Sequence, residues 1–315
     1  MEFKHVPIML NEVIENLCIK ENGIYVDGTM GGAGHSEAIV SRLSNDGTLV
    51  GIDRDKEALE ASHERLKDYT NVRYVWGRHE NLKDILEGLD IKEVDGILLD
   101  LGLSSYQIDE AGRGFSYTKD AKLDMRMDKE QDLTAYDVVN DYSEEQLEDI
   151  FFKYGEENFS KRIASKIVSE RKKKRIETTF MLADVIRTAI PKGKDPLDSF
   201  KRIFQAIRIE VNGELKELEK AIKEGIEILK PGGRFCILTF HSLEDRIVKN
   251  AFLDMQGKCT CPKDFPVCVC NSMSYGKVIT RKPITPSKEE QEVNSRSKSC
   301  KLRVFEKEEV HKVRK

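Results

Sequence analysis

The chain has 315 residues, 39% of them hydrophobic and 34% charged. That is enough apolar material for a sizeable core and too much length for one small domain, so one large α/β domain with an insertion, or two domains, is expected. Lys+Arg 52 and Asp+Glu 56 nearly cancel to a net charge of −4, which selects no partner by itself; the imbalance is local, with 15 Lys/Arg against 8 Asp/Glu in residues 151–210. No uncharged run approaches the roughly 20 residues of a membrane span. The first residues, MEFKHVPIMLNEVIENL, hold no apolar leader segment, and seven cysteines make an odd set. A soluble, cytoplasmic protein with reduced thiols and no membrane partner is therefore expected.

Short β-branched runs at Ile24–Gly28, Thr48–Asp53, Val72–Trp76 and Val94–Leu101 alternate with helical patterns, as in a parallel sheet with crossover helices. From about 108 to 213 the strand signals stop. Ser143-Glu-Glu-Gln146 reads as a capping box ahead of Leu147, Ile150, Phe151 and Tyr154. Ile163 with Ile167 marks the next apolar stripe, and Leu182, Val185, Ile186 and Ala189 a third that ends at Pro191. Residues 108–213 thus read as a helical insertion in a core made of residues 1–107 and 214–315. The core resumes with Leu215, Leu218, Ile222, Ile226 and Leu229 at helical spacing, a stop at Lys230-Pro-Gly-Gly233, and a buried strand over Arg234–Phe240. Val278–Arg281 and Lys301–Phe305 are candidates for a closing antiparallel pair.

The richest motif runs from the first strand through a glycine cluster into a helix expected from Ser36: Ile24-Tyr-Val-Asp27-Gly28-Thr-Met-Gly31-Gly32-Ala33-Gly34-His35. Glycines at a strand's carboxyl end let backbone N–H groups approach a nucleotide-like ligand. Their positions, 28, 31, 32 and 34, do not fit the G-x-G-x-x-G pyrophosphate fingerprint. Asp27 would repel a pyrophosphate and attract the ammonium and sulfonium of S-adenosylmethionine. Asp53, 19 residues past Gly34 at the end of the second strand, is placed to accept both ribose hydroxyls. A glycine-rich turn with an N-capping aspartate that binds nothing is the alternative.

Long strings in order carry a resemblance to a known family. They are His5-Val-Pro-Ile-Met-Leu-Asn-Glu12, Tyr25-Val-Asp-Gly-Thr-Met-Gly-Gly-Ala-Gly-His35, Gly51-Ile-Asp-Arg-Asp55 and Asp95-Gly-Ile-Leu-Leu-Asp-Leu-Gly-Leu-Ser-Ser105. Arg113-Gly-Phe-Ser116, Leu123-Asp-Met-Arg-Met-Asp128, Phe204-Gln-Ala-Ile-Arg208 and Thr-Phe240-His-Ser-Leu-Glu-Asp-Arg246 continue the series. End to end, the chain resembles the ribosomal RNA small-subunit methyltransferase H family, also called MraW. The resemblance implies a class I S-adenosylmethionine-dependent methyltransferase, Rossmann-like and mostly parallel, with an inserted helical RNA-recognition domain. It further implies methylation of the exocyclic N4 of a cytidine in the decoding region of 16S ribosomal RNA, with the small ribosomal subunit as partner. By position it assigns Ala33, Gly34 and His35 to the cofactor loop, Asp53 to the ribose, His79 to the adenine, and Asp100 and Gln107 to the reacting end. His79 stands where the family pattern carries Phe.

The fourth strand, Gly96-Ile-Leu-Leu-Asp100, delivers a third carboxylate to the edge where open α/β sheets bind ligands. The cytosine N4 lone pair is delocalised into the ring, so methyl transfer needs an acceptor for the amine hydrogens and in-line alignment. Asp100 is the first candidate, with Ser104 and Ser105 as positioning hydroxyls. Where other amino-group methyltransferases place Pro-Pro-aromatic, this sequence has Leu101-Gly-Leu-Ser-Ser-Tyr106, which leaves the acceptor open. Tyr106 or Phe115 could stack on an extruded cytosine or belong to the core. His241 could contact substrate, or Ser242 could cap the next helix with Asp245 at its third position. Asp124, Arg126 and Asp128 could form an ionic hinge between domains.

Arg171-Lys-Lys-Lys-Arg175, followed by Arg187, Lys192, Lys194, Lys201, Arg202 and Arg208, suits phosphate contacts; a solvated helix end is the bland reading. Cys259, Cys261, Cys268 and Cys270 put four thiols within twelve residues, which suggests zinc although the spacing is C-x-C rather than C-x₂₋₄-C. The resemblance requires no metal there. A nicotinamide-dependent dehydrogenase would explain only the α/β pattern, and a non-catalytic ribosome-assembly factor only the basic stretch. The oligomeric state stays open, a homodimer included.

Overall fold

The computed structural model describes residues 7–103, 111–216, 218–262 and 270–313. The chain divides into two compact units, Met1–Gly102 with Leu215–Lys315, and Leu103–Glu214.

The first unit is built on a seven-stranded sheet. Its strands are β1 (Ile24–Asp27), β2 (Thr48–Asp53), β3 (Val72–Trp76), β4 (Val94–Asp100), β5 (Leu229–Thr239), β6 (Met273–Val278) and β7 (Lys301–Lys312), in the order β3-β2-β1-β4-β5-β7-β6. The first five pair in parallel, while β7 runs antiparallel between β5 and β6. The helices of this unit include α1 (Leu10–Leu17), α2 (Gly34–Val40), α3 (Lys56–Arg65) and α4 (Leu82–Gly88). Side chains alternate across each central strand, so each feeds two cores. Ile97, Leu99, Phe235 and Ile237 face one core with Phe252 and Phe305. Leu98, Cys236 and Leu238 face the other with Tyr25, Leu302 and Val304.

Two sequence expectations shift here. Lys230-Pro-Gly-Gly233 does not separate helix from strand: β5 already begins at Leu229, paired with Val94, and the register slips before Gly96↔Arg234. The extra residues are absorbed as a bulge, with Gly232 at φ +81°. The closing pair exists, but its outer strand ends where it was expected to begin, with Val278 opposite Phe305 and the pairing running back to Met273 opposite Lys312. Glycine and lysine in Met273–Val278 weaken its strand signal; pairing with β7 overrides it.

The second unit, in its described part, carries α5 (Ala135–Asp141), α6 (Glu144–Lys153), α7 (Ser160–Arg171), α8 (Thr179–Ala189) and α9 (Leu197–Asn212). Ser143 and Gln146 form the expected reciprocal cap on α6, with Gln146 N donating to Ser143 Oγ (3.2 Å) and Ser143 N to Gln146 Oε1 (2.8 Å). Thr134 and Asp137 do the same for α5. Leu147, Phe151, Ile163, Ile167, Leu182 and Ile186 are buried in its own core together with Ile203, Phe204 and Ile207. Two buried asparagines pin its connections. Asn140 donates to Ile176 O (2.8 Å) and accepts from Ile176 N (3.0 Å). Asn212 donates to Met125 O and accepts from Met127 N, both at 2.8 Å.

Back in the first unit, α10 (Leu218–Glu227) precedes β5, α11 (Ser242–Gln256) follows it, and α12 (Lys288–Val293) precedes β7. Phe252 of α11 packs between Phe235 and Phe305, with ring centroids 6.1 and 5.4 Å away.

Candidate functional site

β1 pairs with β2 on one side and β4 on the other, and Asp27 stands in register with Gly51 and Leu98. The carboxyl ends of the three strands therefore lie together and carry Asp27, Asp53 and Asp100 to one edge of the sheet. Close backbone approach builds this edge. Gly28 N donates to Leu98 O (2.9 Å), and a Cβ on Gly28 would sit 2.5 Å from Leu99 Cδ2 and 3.3 Å from His79 Cβ. Met30 N donates to Ile52 O (3.0 Å), tying the loop to β2.

The loop wraps around the carboxylates. Asp27 is 1% exposed; its Oδ1 accepts from Thr29 N (3.1 Å) and its Oδ2 from Ser36 Oγ (2.7 Å). Asp53 Oδ2 accepts from Gly31 N (2.7 Å) and its Oδ1 from Asp55 N (2.9 Å). Asp100 N donates to Thr29 Oγ1 (2.6 Å), and Asp100 Oδ2 lies 3.4 Å from His35 Nδ1. The other His35 nitrogen, Nε2, is 3.0 Å from Ile8 O. Ala33, at φ +57°, turns the chain into α2, which begins at Gly34 rather than Ser36. A Cβ on Gly34 would meet Pro7 at 2.3 Å, so Pro7 packs directly on the loop. Gly32 has open space where a Cβ would be.

Burial sets the electrostatics. It pushes the Asp27 pKa up to about 6, against the Ser36 hydrogen bond, the charge of His35 and the Thr29 N–H. Burial likewise raises Asp53 above the usual carboxylate range, against the N–H groups of Asp55 and Gly31. For His35, burial disfavours the imidazolium, but the hydrogen bond and charge of Asp100, with the charge of Asp27, outweigh it and raise the pKa. His79 behaves oppositely: burial lowers its pKa to about 4, opposed by Glu80 and assisted by Arg54 and Arg78. At neutral pH His79 is an uncharged imidazole beside Gly28, a flat face of the kind an adenine can stack on.

Thr29 and Pro7 sit inside strings quoted from the sequence and Ser36 was read only as a helix start, yet no periodicity singled them out, because each acts through a contact that only the closed loop creates. Ser62 Oγ, donating to Gly31 O at 2.7 Å, had no sequence signal at all. Ser104, Ser105, Tyr106 and Gln107 lie outside the described residues.

Several other candidates have partners within the protein. His241, not Ser242, is the N-cap of α11, and its third-position partner is Glu244, not Asp245. Glu244, 2% exposed, accepts from Phe240 N (2.8 Å) and His241 N (3.3 Å), and Glu244 N donates back to His241 Nδ1 (3.4 Å). Asp245 instead holds Lys301 and Arg303 of β7 at 3.0 and 2.5 Å. Asp124 and Arg126 pair within the helical unit (2.8 Å), where Arg126 also donates to Gln131 O (2.8 Å) and the buried Arg113 donates to Arg126 O (2.9 Å). Phe115 is half-buried against the helical core.

The basic stretch divides in the same way. Arg171 donates to Val139 O and Tyr142 O, and Arg175 to Asn140 O, so both arginines satisfy the carbonyl end of α5. Arg208 forms a two-pronged bond with Glu214, 2.9 Å in each arm. Arg187 pairs with Asp184. Lys172, Lys174, Lys192 and Lys194 are exposed and make no ion pair with described residues. Among the described cysteines, Cys259, Cys261 and Cys270 group together; Cys268 lies outside the described residues.

The strand order, with an antiparallel β7 between β5 and β6, is that of a class I S-adenosylmethionine-dependent methyltransferase, and the cofactor of this class is S-adenosyl-L-methionine. Residues 2–308 match the MraW methylase family, to which the chain belongs. A "Ribosomal RNA small subunit methyltransferase H" from Clostridium botulinum strain Loch Maree, type A3, is 57% identical over 308 residues, covering 98% of this chain and 100% of the relative. The protein of the same name from strain Kyoto, type A2, has the same identity and coverage. Among solved structures, an rRNA methylase from Streptococcus thermophilus aligns over 95% of this chain and 94% of its own, at 13% identity and a TM-score of 0.39, too remote to carry an inference. No helix among the described residues is long and apolar enough to cross a membrane.

Proposed function

We propose that the protein transfers the methyl group of S-adenosylmethionine to the exocyclic N4 of a cytidine in the decoding region of 16S ribosomal RNA, with the small ribosomal subunit as substrate. The observation that carries this reading is the convergence of Asp27, Asp53 and Asp100 on one glycine-lined sheet edge. The names of the relatives support ribosomal RNA as the substrate class, and the family strings support the N4 of cytidine.

The donor set fits this cofactor. Three carboxylates suit a ligand with ammonium and sulfonium charges and would repel a pyrophosphate. When bound, S-adenosylmethionine supplies an electrophilic methyl group. Gly31, Ala33, Gly34 and His35 form the loop wall. Asp27 holds that loop closed and contributes negative potential, Asp53 offers its carboxylate to the ribose diol, and neutral His79 faces the adenine. Asp100 accepts a proton from the cytosine amine as the N–C bond forms; Ser104 and Ser105 orient the base, and Gln107 completes the reacting end. The helical unit binds RNA through its exposed lysines.

Incubation with labelled S-adenosylmethionine and unmodified small subunits, followed by nucleoside mass spectrometry, is expected to yield N4-methylcytidine. Cofactor binding without RNA label would overturn the substrate assignment; no cofactor binding would overturn the whole reading. Replacing Lys172, Lys173 and Lys174 together by Gln is expected to weaken RNA binding and flatten the log–log salt slope by about two to three. Arg171 and Arg175 are left in place because they hold α5. An unchanged affinity at low salt would remove the lysines from the RNA surface.

A further inference from the structure

The connection between α11 and β6 takes no part in the groups assigned above, yet it gathers thiols. Cys259 and Cys261 follow the end of α11, and Cys270 precedes β6. All three Sγ atoms lie within 4.8 Å of one another, and those of Cys259 and Cys270 are 4.0 Å apart. Thiolates bound to one tetrahedral zinc at about 2.3 Å are about 3.8 Å apart, whereas a disulfide requires about 2.0 Å. The observed spacing is that of an edge of a metal tetrahedron.

The surrounding backbone holds this spacing. Gly257 ends α11 at φ +71°, donating to Asp254 O (3.0 Å) and Leu253 O (3.2 Å). A Cβ there would lie 2.3 Å from Met273 O, so the entry and exit of the connection are pressed together. Val313 N donates to Ser272 O (2.9 Å), and Lys312 Nζ lies 3.2 Å from Asn271 Oδ1, so the end of β7 anchors the Cys270 side. Ser272 Oγ is 3.1 Å from Cys270 Sγ, placed to donate to a thiolate as outer-shell groups of metal sites do. The three cysteines are half-buried, open enough for an ion to enter.

We propose that Cys259, Cys261 and Cys270 bind one zinc ion as thiolates, stapling the α11–β6 connection. Soft thiolates in a tetrahedral set select zinc over the hard cations, and one further donor, from protein or water, completes the tetrahedron. Binding releases one proton from each thiol, and no electron is transferred.

Protein made in zinc-supplemented medium and purified without chelator is expected to contain about one zinc per chain, released by a thiol-blocking mercurial. Cobalt exchanged into the same protein should show thiolate-to-cobalt charge-transfer bands and the intense visible absorption of a tetrahedral site. The combined Cys259→Ser and Cys261→Ser variant should lose zinc and keep S-adenosylmethionine binding. Zinc below about a tenth of an equivalent in the wild type would overturn the proposal. So would a cobalt spectrum without thiolate bands, or a mass lower by two hydrogens that reports a Cys259–Cys270 disulfide. The wild-type cobalt spectrum decides the matter even if the variant fails to fold.

Discussion

Asp100→Asn is expected to reduce kcat by a factor on the order of 10²–10⁴, the usual scale for loss of a positioned proton acceptor. The substitution is nearly isosteric, and the bond from the residue 100 backbone N–H to Thr29 Oγ1 does not involve the side chain. Cofactor affinity should therefore change by less than about tenfold, or about 1.4 kcal/mol. A second readout is independent of turnover: the Asp100 carboxylate is the principal influence raising the His35 pKa, so the His35 titration seen by NMR should move down. Unchanged kcat with a raised KM would assign Asp100 to positioning and remove it from the acceptor role.

Affinity for S-adenosylmethionine is expected to fall as the pH drops below about 6, by up to tenfold per unit, because Asp27 takes up a proton there and the loop loses a negative charge. Cofactor binding near pH 6 should release protons, measurable by calorimetry in buffers of different ionisation enthalpy. His35 and Asp53, both with raised pKa values, stand near the same loop, so Asp27→Asn is the control: its affinity should be lower at pH 7.5 and should fall less steeply below pH 6 than that of the wild type. A flat wild-type profile would contradict the assignment.

Stability should respond in the opposite sense. The folded pKa of Asp27 lies above its ordinary 3.8, so between about pH 4 and 6 the folded chain holds more of this proton than the unfolded chain does. The contribution is present below the ordinary value and lost as the pH rises through about 6, amounting to about 3 kcal/mol of burial cost at neutral pH.

Much of this architecture was legible in the linear chain because the underlying signals are periodic or local. The runs at Thr48–Asp53 and Val72–Trp76 coincide with β2 and β3: β2 is an apolar run buried on both faces, and β3, at the sheet edge and only part-buried, is marked by its β-branched and aromatic residues. The Ser143–Gln146 cap is contained in four residues and needs no tertiary context. The three strand-end aspartates were readable for the same reason, each following an apolar run. What failed involved partners far apart in sequence. Asp245 looked like a capping residue until β7 brought Lys301 and Arg303 to it from 56 and 58 positions away. The run Arg171–Arg175 read equally as a phosphate contact or a solvated helix end, and neither reading anticipated that the carbonyls at the end of α5 would take its two arginines.

The sequence by itself therefore determined the α/β order, the glycine loop, the kind of ligand that its acidic surroundings favour, and a helical insertion expected over 108–213, whose described α-helices lie between Ala135 and Asn212. Tertiary structure decided which charges remain available. A carboxylate or guanidinium carries the same charge in any sequence, but its neighbours in space decide whether it is spent. Asp27, which reads in sequence as an open cofactor contact, is closed around Thr29 and Ser36, and burial moves its titration into the range near neutrality.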